Sequence, residues 1–198
     1  MRRRRGGARR RGTASGRIAA LPKLLGLLRH AKSDWDDIAR RDFDRGLNAR
    51  GCKGARLIGA HIRDHGVKWE RLLASPAERV RVTLDEARAG PEPVYDERLY
   101  LADAATIVEV VRELGGEAGA VLVAGHNPGL QDLLLTLVPP EAENALFDEA
   151  AVKFPTASFA VLQLDIADWA ALGEGRGSLV HFARPRDLDP SLGPEIVS

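Results

Sequence analysis

Two arginines and two histidines each stand just beyond a short apolar run, and their types suit phosphoryl chemistry. Arg29-His30 follows Leu24-Leu25-Gly26-Leu27-Leu28, Arg79 lies one turn beyond the Ser75-Pro76 that follows Arg71-Leu72-Leu73-Ala74, and Gly125-His126 follows Val121-Leu122-Val123-Ala124. Guanidinium forks grip the oxygens of a phosphoryl group bidentately, and an imidazole can attack phosphorus as a nucleophile. Taken singly, an arginine after a strand is ordinarily a surface cation and a histidine is ordinarily structural. Four such residues at the ends of three predicted strands are much harder to attribute to coincidence.

The elements that must position them alternate in type. The apolar runs at 24–28, 71–74 and 121–124 have the length and continuity of buried strands, and Val94-Tyr95 forms a further short one. Helical spacing predicts helices over Gly46–His65, from a Ser75-Pro76 cap to about Ala89, over Ala104–Leu114 and over Gly129–Val138. Gly66, Gly115-Gly116 and Pro139-Pro140 stand as stops. Two late strands, Phe159–Leu164 and Ser178–Phe182, are joined by a glycine-rich link that suits a hairpin at a sheet edge. Strands alternating with helices predict one α/β domain, a three-layer α/β/α sandwich around a mainly parallel sheet. Ligands of such sheets bind outside the carboxyl ends of the strands, where the two arginines and two histidines fall.

Composition limits the alternatives. A chain of 198 residues with 44% apolar and 29% charged residues is an ordinary globular domain, and no run of 18 apolar residues offers a membrane span. The lone Cys52 excludes an internal disulfide and fits a reducing, cytoplasmic setting. Residues 1–23 hold nine basic side chains and no acid, so the rest of the chain carries 20 basic against 28 acidic residues, a net charge of −8. The basic segment 1–23 is expected to be a disordered extension; it could contact nucleic acid or serve organellar targeting, but has no interleaved aromatics for stacking on bases. Gly7 and Gly12-Thr13 imitate a phosphate-binding loop without its lysine. His61 and His65 are spaced like metal ligands, yet the glutamate of H-E-x-x-H is missing, so a solvated helix face is expected and no metal site. His181 in the last strand is expected to be structural.

The ordered motifs resemble a known family. Arg29-His30-Ala31 is similar to the R-H-G signature of the histidine phosphatase superfamily, with alanine in place of glycine. Ser75-Pro76-Ala77-Glu78-Arg79-Val80, continuing to Thr83, resembles its S-P-x-x-R-A-x-x-T element, and Gly125-His126-Asn127-Pro128 its second-histidine motif. The series R-H-A-K-S-D-W, D-F-D-R-x-L-N-x-R-G, Y-D-E-R-L-Y and G-H-N-P-G-L resembles the SixA-type phosphohistidine phosphatases over about residues 24–186, leaving 187–198 as a tail.

The resemblance implies a phosphoglycerate mutase-like fold and a metal-independent, cofactor-free phosphatase. His30 would be the nucleophile, forming a covalent phosphohistidine, with Arg29, Arg79 and His126 around the phosphate. Ser33 and Asn127 would neighbour it, although capping or loop bonding accounts equally well for both. Asp36, an anion where an asparagine is common, is given no binding role. Glu97 or Asp103 lies in the interval where a general acid would come, and each fits a solvated carboxylate as well. The implied substrate is a phosphorylated protein carrying phosphohistidine; a small phosphorylated molecule is the rival, and a non-catalytic phosphate- or nucleic-acid-binding module a more distant one.

Overall fold

A computed structural model describes residues 22–193. Six strands and six helices follow in the order β1 (Lys23–Arg29), α1 (Ala49–His65), β2 (Arg71–Ala74), α2 (Glu78–Ala87), β3 (Val94–Tyr95), α3 (Ala104–Leu114), β4 (Ala120–Gly125), α4 (Gly129–Leu137), α5 (Ala145–Val152), β5 (Phe159–Leu164), β6 (Gly177–Ala183) and α6 (Pro185–Leu188). They build one sheet in the order β3-β2-β4-β1-β5-β6. The first four strands are mutually parallel; β5 pairs antiparallel with β1, and β6 antiparallel with β5. This is the expected mainly parallel three-layer sandwich, with the late hairpin at one edge.

Alternation along the strands feeds two cores. Leu25 and Leu27 of β1, with Val121 and Val123 of β4, face α3, α4 and α5. Leu28, Leu122 and Ala124 face the other way, onto Ile58 and Ile62 of α1 and Val80 and Leu84 of α2. Strands covered on both faces read as unbroken apolar runs, which is why β1, β2 and β4 stood out in the sequence.

Element ends differ from the expected ones for identifiable reasons. α1 starts three residues later than Gly46 because Asn48 caps it, its side chain accepting the Gly51 N–H, and Gly66 closes it at φ 84°. β1 takes in Lys23, whose buried Nζ donates to the Ala118 carbonyl at 2.8 Å and lies over the Trp169 ring. Ser75-Pro76 does not cap α2: the chain stays extended through Ala77 and the helix begins at Glu78. Beyond α6, a short 3-10 turn over Pro190–Leu192 lies against α1, where Arg50 donates to the Leu192 carbonyl and Lys53 pairs with Asp189. The strongly basic residues 1–21 lie outside the described residues.

Candidate active site

Three parallel strands deliver the site. β1 ends on Arg29 and hands the chain to His30; β4 ends on Gly125 and hands it to His126. These two strands pair in register, Arg29 beside Gly125, and the His30 N–H donates to the Gly125 carbonyl at 3.1 Å, so the histidines emerge side by side. Their ring centroids are 5.2 Å apart. From β2, the extended Ser75–Ala77 step brings Arg79 into the first turn of α2 beneath them. Gly129 starts α4 directly behind His126, and a Cβ there would lie 1.9 Å from the Ala102 carbonyl oxygen, so only glycine fits.

Thr83 ties two of these elements together. Its Oγ1 accepts the Ala31 N–H at 2.9 Å and donates to the Arg79 carbonyl at 2.6 Å, fixing the residue after His30 to the helix that carries Arg79. This gives the spacing from Arg79 to Thr83 a physical reason, because i and i+4 share one face of the helix.

Hydrogen bonding selects the tautomer of His30. His30 Nδ1 lies 2.8 Å from the Ala31 carbonyl oxygen, an acceptor only, so Nδ1 carries the proton and Nε2 keeps its lone pair. Ser75 Oγ accepts from the Ala77 N–H and shares a hydrogen bond with His126 Nε2 at 2.8 Å, which either tautomer of the ring can make. His126 Nδ1 is buried with no partner. Ser75, expected as a helix cap, is instead a support for His126.

Burial and neighbouring cations keep both imidazoles neutral. Desolvation, followed by the charges of Arg79 and Arg29, pushes His30 down to about 4 against the opposing Ala31 bond. Desolvation, then His30 and Arg79, pushes His126 down to about 3. Arg29 is itself lowered, by burial and then by Arg79, so the two guanidiniums share one electrostatic environment. Arg29 Nη1 donates to the Phe154 carbonyl at 2.8 Å, and its Nε is buried without a partner. Two cations and two neutral imidazoles around one spot make a receptor for a dianion that need not compete with water.

A residue without an assigned role in the sequence reading completes the geometry. Arg79 donates through Nη1 to the Asp42 carbonyl and through Nη2 to Asp42 Oδ2, at 2.6 and 2.9 Å. Tyr100 donates its hydroxyl to the same Oδ2 at 2.7 Å, and its ring packs edge-on to His126 at 5.5 Å. Burial alone would raise the Asp42 carboxyl; the hydrogen bonds and charge from Tyr100 and Arg79 hold it below its ordinary value. Both residues sit inside motif strings already noted, D-F-D-R and R-L-Y, yet nothing in their spacing shows that a loop folds Asp42 back onto Arg79.

The remaining candidates fall at varying removes. Asn127 donates to Gln131 and to the Phe154 carbonyl that also receives Arg29, so it sits beside the site and braces it. Ser33 is buried and its backbone bridges to Leu47, closing the loop that carries Asp42. Asp103 caps α3, its carboxylate accepting the Thr106 N–H, and Glu97 is exposed in a 3-10 turn. Among the described residues, no hydrogen bond or ion pair joins Glu97 or Asp103 to the arginines or histidines; the carboxylate that makes one is Asp42. Asp36 is exposed and bonds only within its own turn.

Away from this edge, the expected solvated face of α1 carries a histidine cluster. His61 and His181 share a hydrogen bond at 2.8 Å between their Nε2 atoms, and His65 packs on His181 with ring centroids 4.2 Å apart. β6 supplies the third ring from far along the chain, which spacing within one helix does not reveal. Among the described residues, no group of three or more His, Cys, Asp or Glu side chains is arranged to hold a metal ion. No helix among them is long and apolar enough to cross a membrane.

Known proteins share this fold. A profile of the histidine phosphatase superfamily (branch 1) matches residues 25–101, from β1 past Tyr100. An uncharacterized protein of Mycobacterium tuberculosis strain H37Rv is 35% identical over 160 residues, covering 80% of this chain and all of that one. A candidate phosphohistidine phosphatase SixA from Nakamurella multipartitia superposes with a TM-score of 0.75 at 29% identity, over 84% of this chain and 98% of the other. Its counterpart from Agrobacterium tumefaciens gives 0.69 at 32% identity, over 83% and 99%. With relatives above 30% identity over four-fifths of its length, the chain belongs to the histidine phosphatase superfamily and is a phosphatase.

Proposed function

We propose that this phosphatase removes the phosphoryl group from phosphohistidine on a partner protein, through a covalent phosphohistidine on His30. The observation that carries this reading is the state of Asp42. It is the carboxylate hydrogen-bonded to the site, and Arg79 and Tyr100 hold it ionised, so at neutral pH it has no proton to give. An alkoxide leaving group needs such a proton. Phosphohistidine does not, because its imidazole takes a proton from water on the other nitrogen and departs neutral. Similarity to candidate SixA proteins supports the same substrate class.

In the first half-reaction the His30 Nε2 lone pair attacks phosphorus. The P–N bond to the substrate imidazole breaks, its electron pair staying with that ring. Arg29 and Arg79 neutralise the equatorial oxygens, and His126, its ring centroid 5.2 Å from that of His30, contributes a hydrogen bond to one of them. In the second, water attacks the phosphorus on His30, the new P–N bond breaks, and inorganic phosphate and free His30 are released. The water proton has an acceptor in Asp42, ionised and bonded to Arg79.

The test is turnover of a phosphohistidine peptide against an alkyl phosphate, in wild type and His30→Ala, followed by trapping with labelled substrate. The expected result is strong preference for the peptide, label on His30 and no turnover in the variant. Label on a serine or cysteine, or preference for the alkyl phosphate, would overturn the reading.

A further inference from the structure

A second concavity opens at the same edge of the sheet, and its charge is opposite to that of the fold around it. It encloses about 510 Å³ between the start of α1, the loop before β5 and the chain after β6. Lys32, Arg50, Lys153, Arg184 and Arg186 line it, and among the described residues that line it there is no aspartate or glutamate. In a chain whose residues from 24 onward carry a net −8, this is a local reversal of sign.

Part of that charge is already spoken for. Arg184 pairs with Glu149 and Asp187, and Arg50 donates to the Leu192 and Gly193 carbonyls. Lys32, Lys153 and Arg186 have no ion pair or hydrogen bond to a carboxylate among the described residues. Three uncompensated cations around one concavity repel each other, and an anion placed among them relieves that repulsion. The positive end of α1 adds to the field, its first turn carrying no acid.

The pocket shares a wall with the phosphoryl site. Lys32 is two residues past His30, and the Ala157 N–H donates to the His30 carbonyl at 3.0 Å. Lys153 precedes Phe154, whose carbonyl receives both Arg29 and Asn127. The backbones of Phe154 and Ala157 therefore brace the phosphoryl site from one side, while the Lys153 side chain belongs to the basic pocket on the other.

We infer that this pocket receives carboxylates of an acidic segment flanking the phosphohistidine of the substrate protein, an inference that rests on the function proposed above. The chemistry of the cations favours carboxylates over a second phosphate. The phosphoryl site grips its ligand with the buried fork of Arg79, 4% exposed, whereas two of the three free cations here are exposed lysines. Lysines act as mobile point charges, suited to a run of carboxylates that presents no fixed geometry. The walls of Pro155, Ala157, Pro185 and Leu192 offer apolar contact to the methylenes of glutamate side chains.

The test uses the full chain and two labelled, unphosphorylated peptides of equal length, one rich in glutamate and the other with glutamine in its place. Wild type should bind the glutamate peptide at least about tenfold tighter, with the difference shrinking as salt rises. The Lys32→Gln/Lys153→Gln/Arg186→Gln variant should lose that difference while hydrolysing a small neutral-tailed aryl phosphate at the wild-type rate. With phosphohistidine peptides, acidic flanks should lower KM and leave kcat unchanged in wild type alone. Equal affinity for the two peptides, or a glutamate preference that survives in the variant, overturns the inference. So does pyrophosphate binding that the variant abolishes, without peptide binding. Failure to hydrolyse phosphohistidine at all would instead overturn the substrate reading, while the peptide-binding arm still judges the pocket.

Discussion

Arg79 holds Asp42 twice, through the carbonyl and through the carboxylate, and of the pair Arg79 is nearly sealed from solvent while Asp42 is 46% exposed. The loop after β1 thus places an anion against the guanidinium that the phosphoryl group must also reach. Carboxylate and substrate compete for one cation. Exposure screens the contest, which limits its worth to roughly 1 kcal/mol. Asp42→Asn should therefore bind vanadate or inorganic phosphate about three- to fivefold tighter, read as a competitive inhibition constant. Its kcat should fall, because the hydrolytic water loses a proton acceptor. Weaker anion binding in the variant would show that Asp42 organises Arg79 rather than opposing substrate.

Thr83 offers a test of positioning without touching substrate. Both its hydrogen bonds are buried, and Thr83→Val keeps the shape but strands the Ala31 N–H. The cost should be about 1–3 kcal/mol in denaturant unfolding. Because the same hydroxyl fixes the Ala31 backbone to the Arg79 helix, kcat/KM should drop while Thr83→Ser restores most of both. A stability loss with unchanged kcat/KM would confine Thr83 to the fold.

The protonation of His30 can be read directly. The Ala31 carbonyl requires Nδ1–H, and burial with two nearby guanidiniums pushes the imidazole to about 4. Nitrogen-resolved NMR of histidine-labelled protein should report the Nδ1–H tautomer at neutral pH and a titration midpoint of about 4, well below the free value of roughly 6.5. The nucleophile then stays unprotonated across the physiological range and is lost only as pH falls toward about 4. A midpoint near the free value would mean that the site is open to water and that His30 is mostly charged at pH 6.

What could be read in the sequence was set by how locally each feature is encoded. β1, β2 and β4 are apolar on both faces, so their ends were visible, and with them Arg29, His30, Arg79 and His126. Asp42 and Tyr100 were not, because their roles arise where a loop and a 3-10 turn meet over Arg79. Neither carries a periodic signal. Ser75 was misread for a related reason: Ser-Pro before a helix usually caps it, but here Ala77 stays extended at ψ 140° and the hydroxyl is taken up by His126. Glu97 and Asp103 drew notice through position in the chain alone, and turn chemistry accounts for Asp103. The histidine cluster was hidden because its third ring, His181, comes from β6, 120 residues along the chain from His61.

That cluster gives the last prediction, which concerns stability rather than catalysis. Burial first, and then the charges of His65 and His61, lower His181 to about 4, and His65 is lowered as well. The folded protein thus resists protonation that the unfolded chain accepts near pH 6.5. Between those values the unfolded state binds more protons, so the contribution to stability is intact above pH 6.5 and is lost as pH falls toward about 4. His30 and His126 have the same sign, so the wild-type melting temperature should decline through this window. Replacing His181 with glutamine removes one titrating ring and the repulsion it would suffer when charged beside His65. His181→Gln should therefore lose less melting temperature than wild type between pH 7 and pH 4.5, while both retain the slope that His30 and His126 impose. Phosphatase activity at pH 7 should not change, since β6 lies at the far edge of the sheet from β2 and β4. Parallel melting curves for the two proteins across that range would mean that His181 takes up its proton as freely when folded as when unfolded.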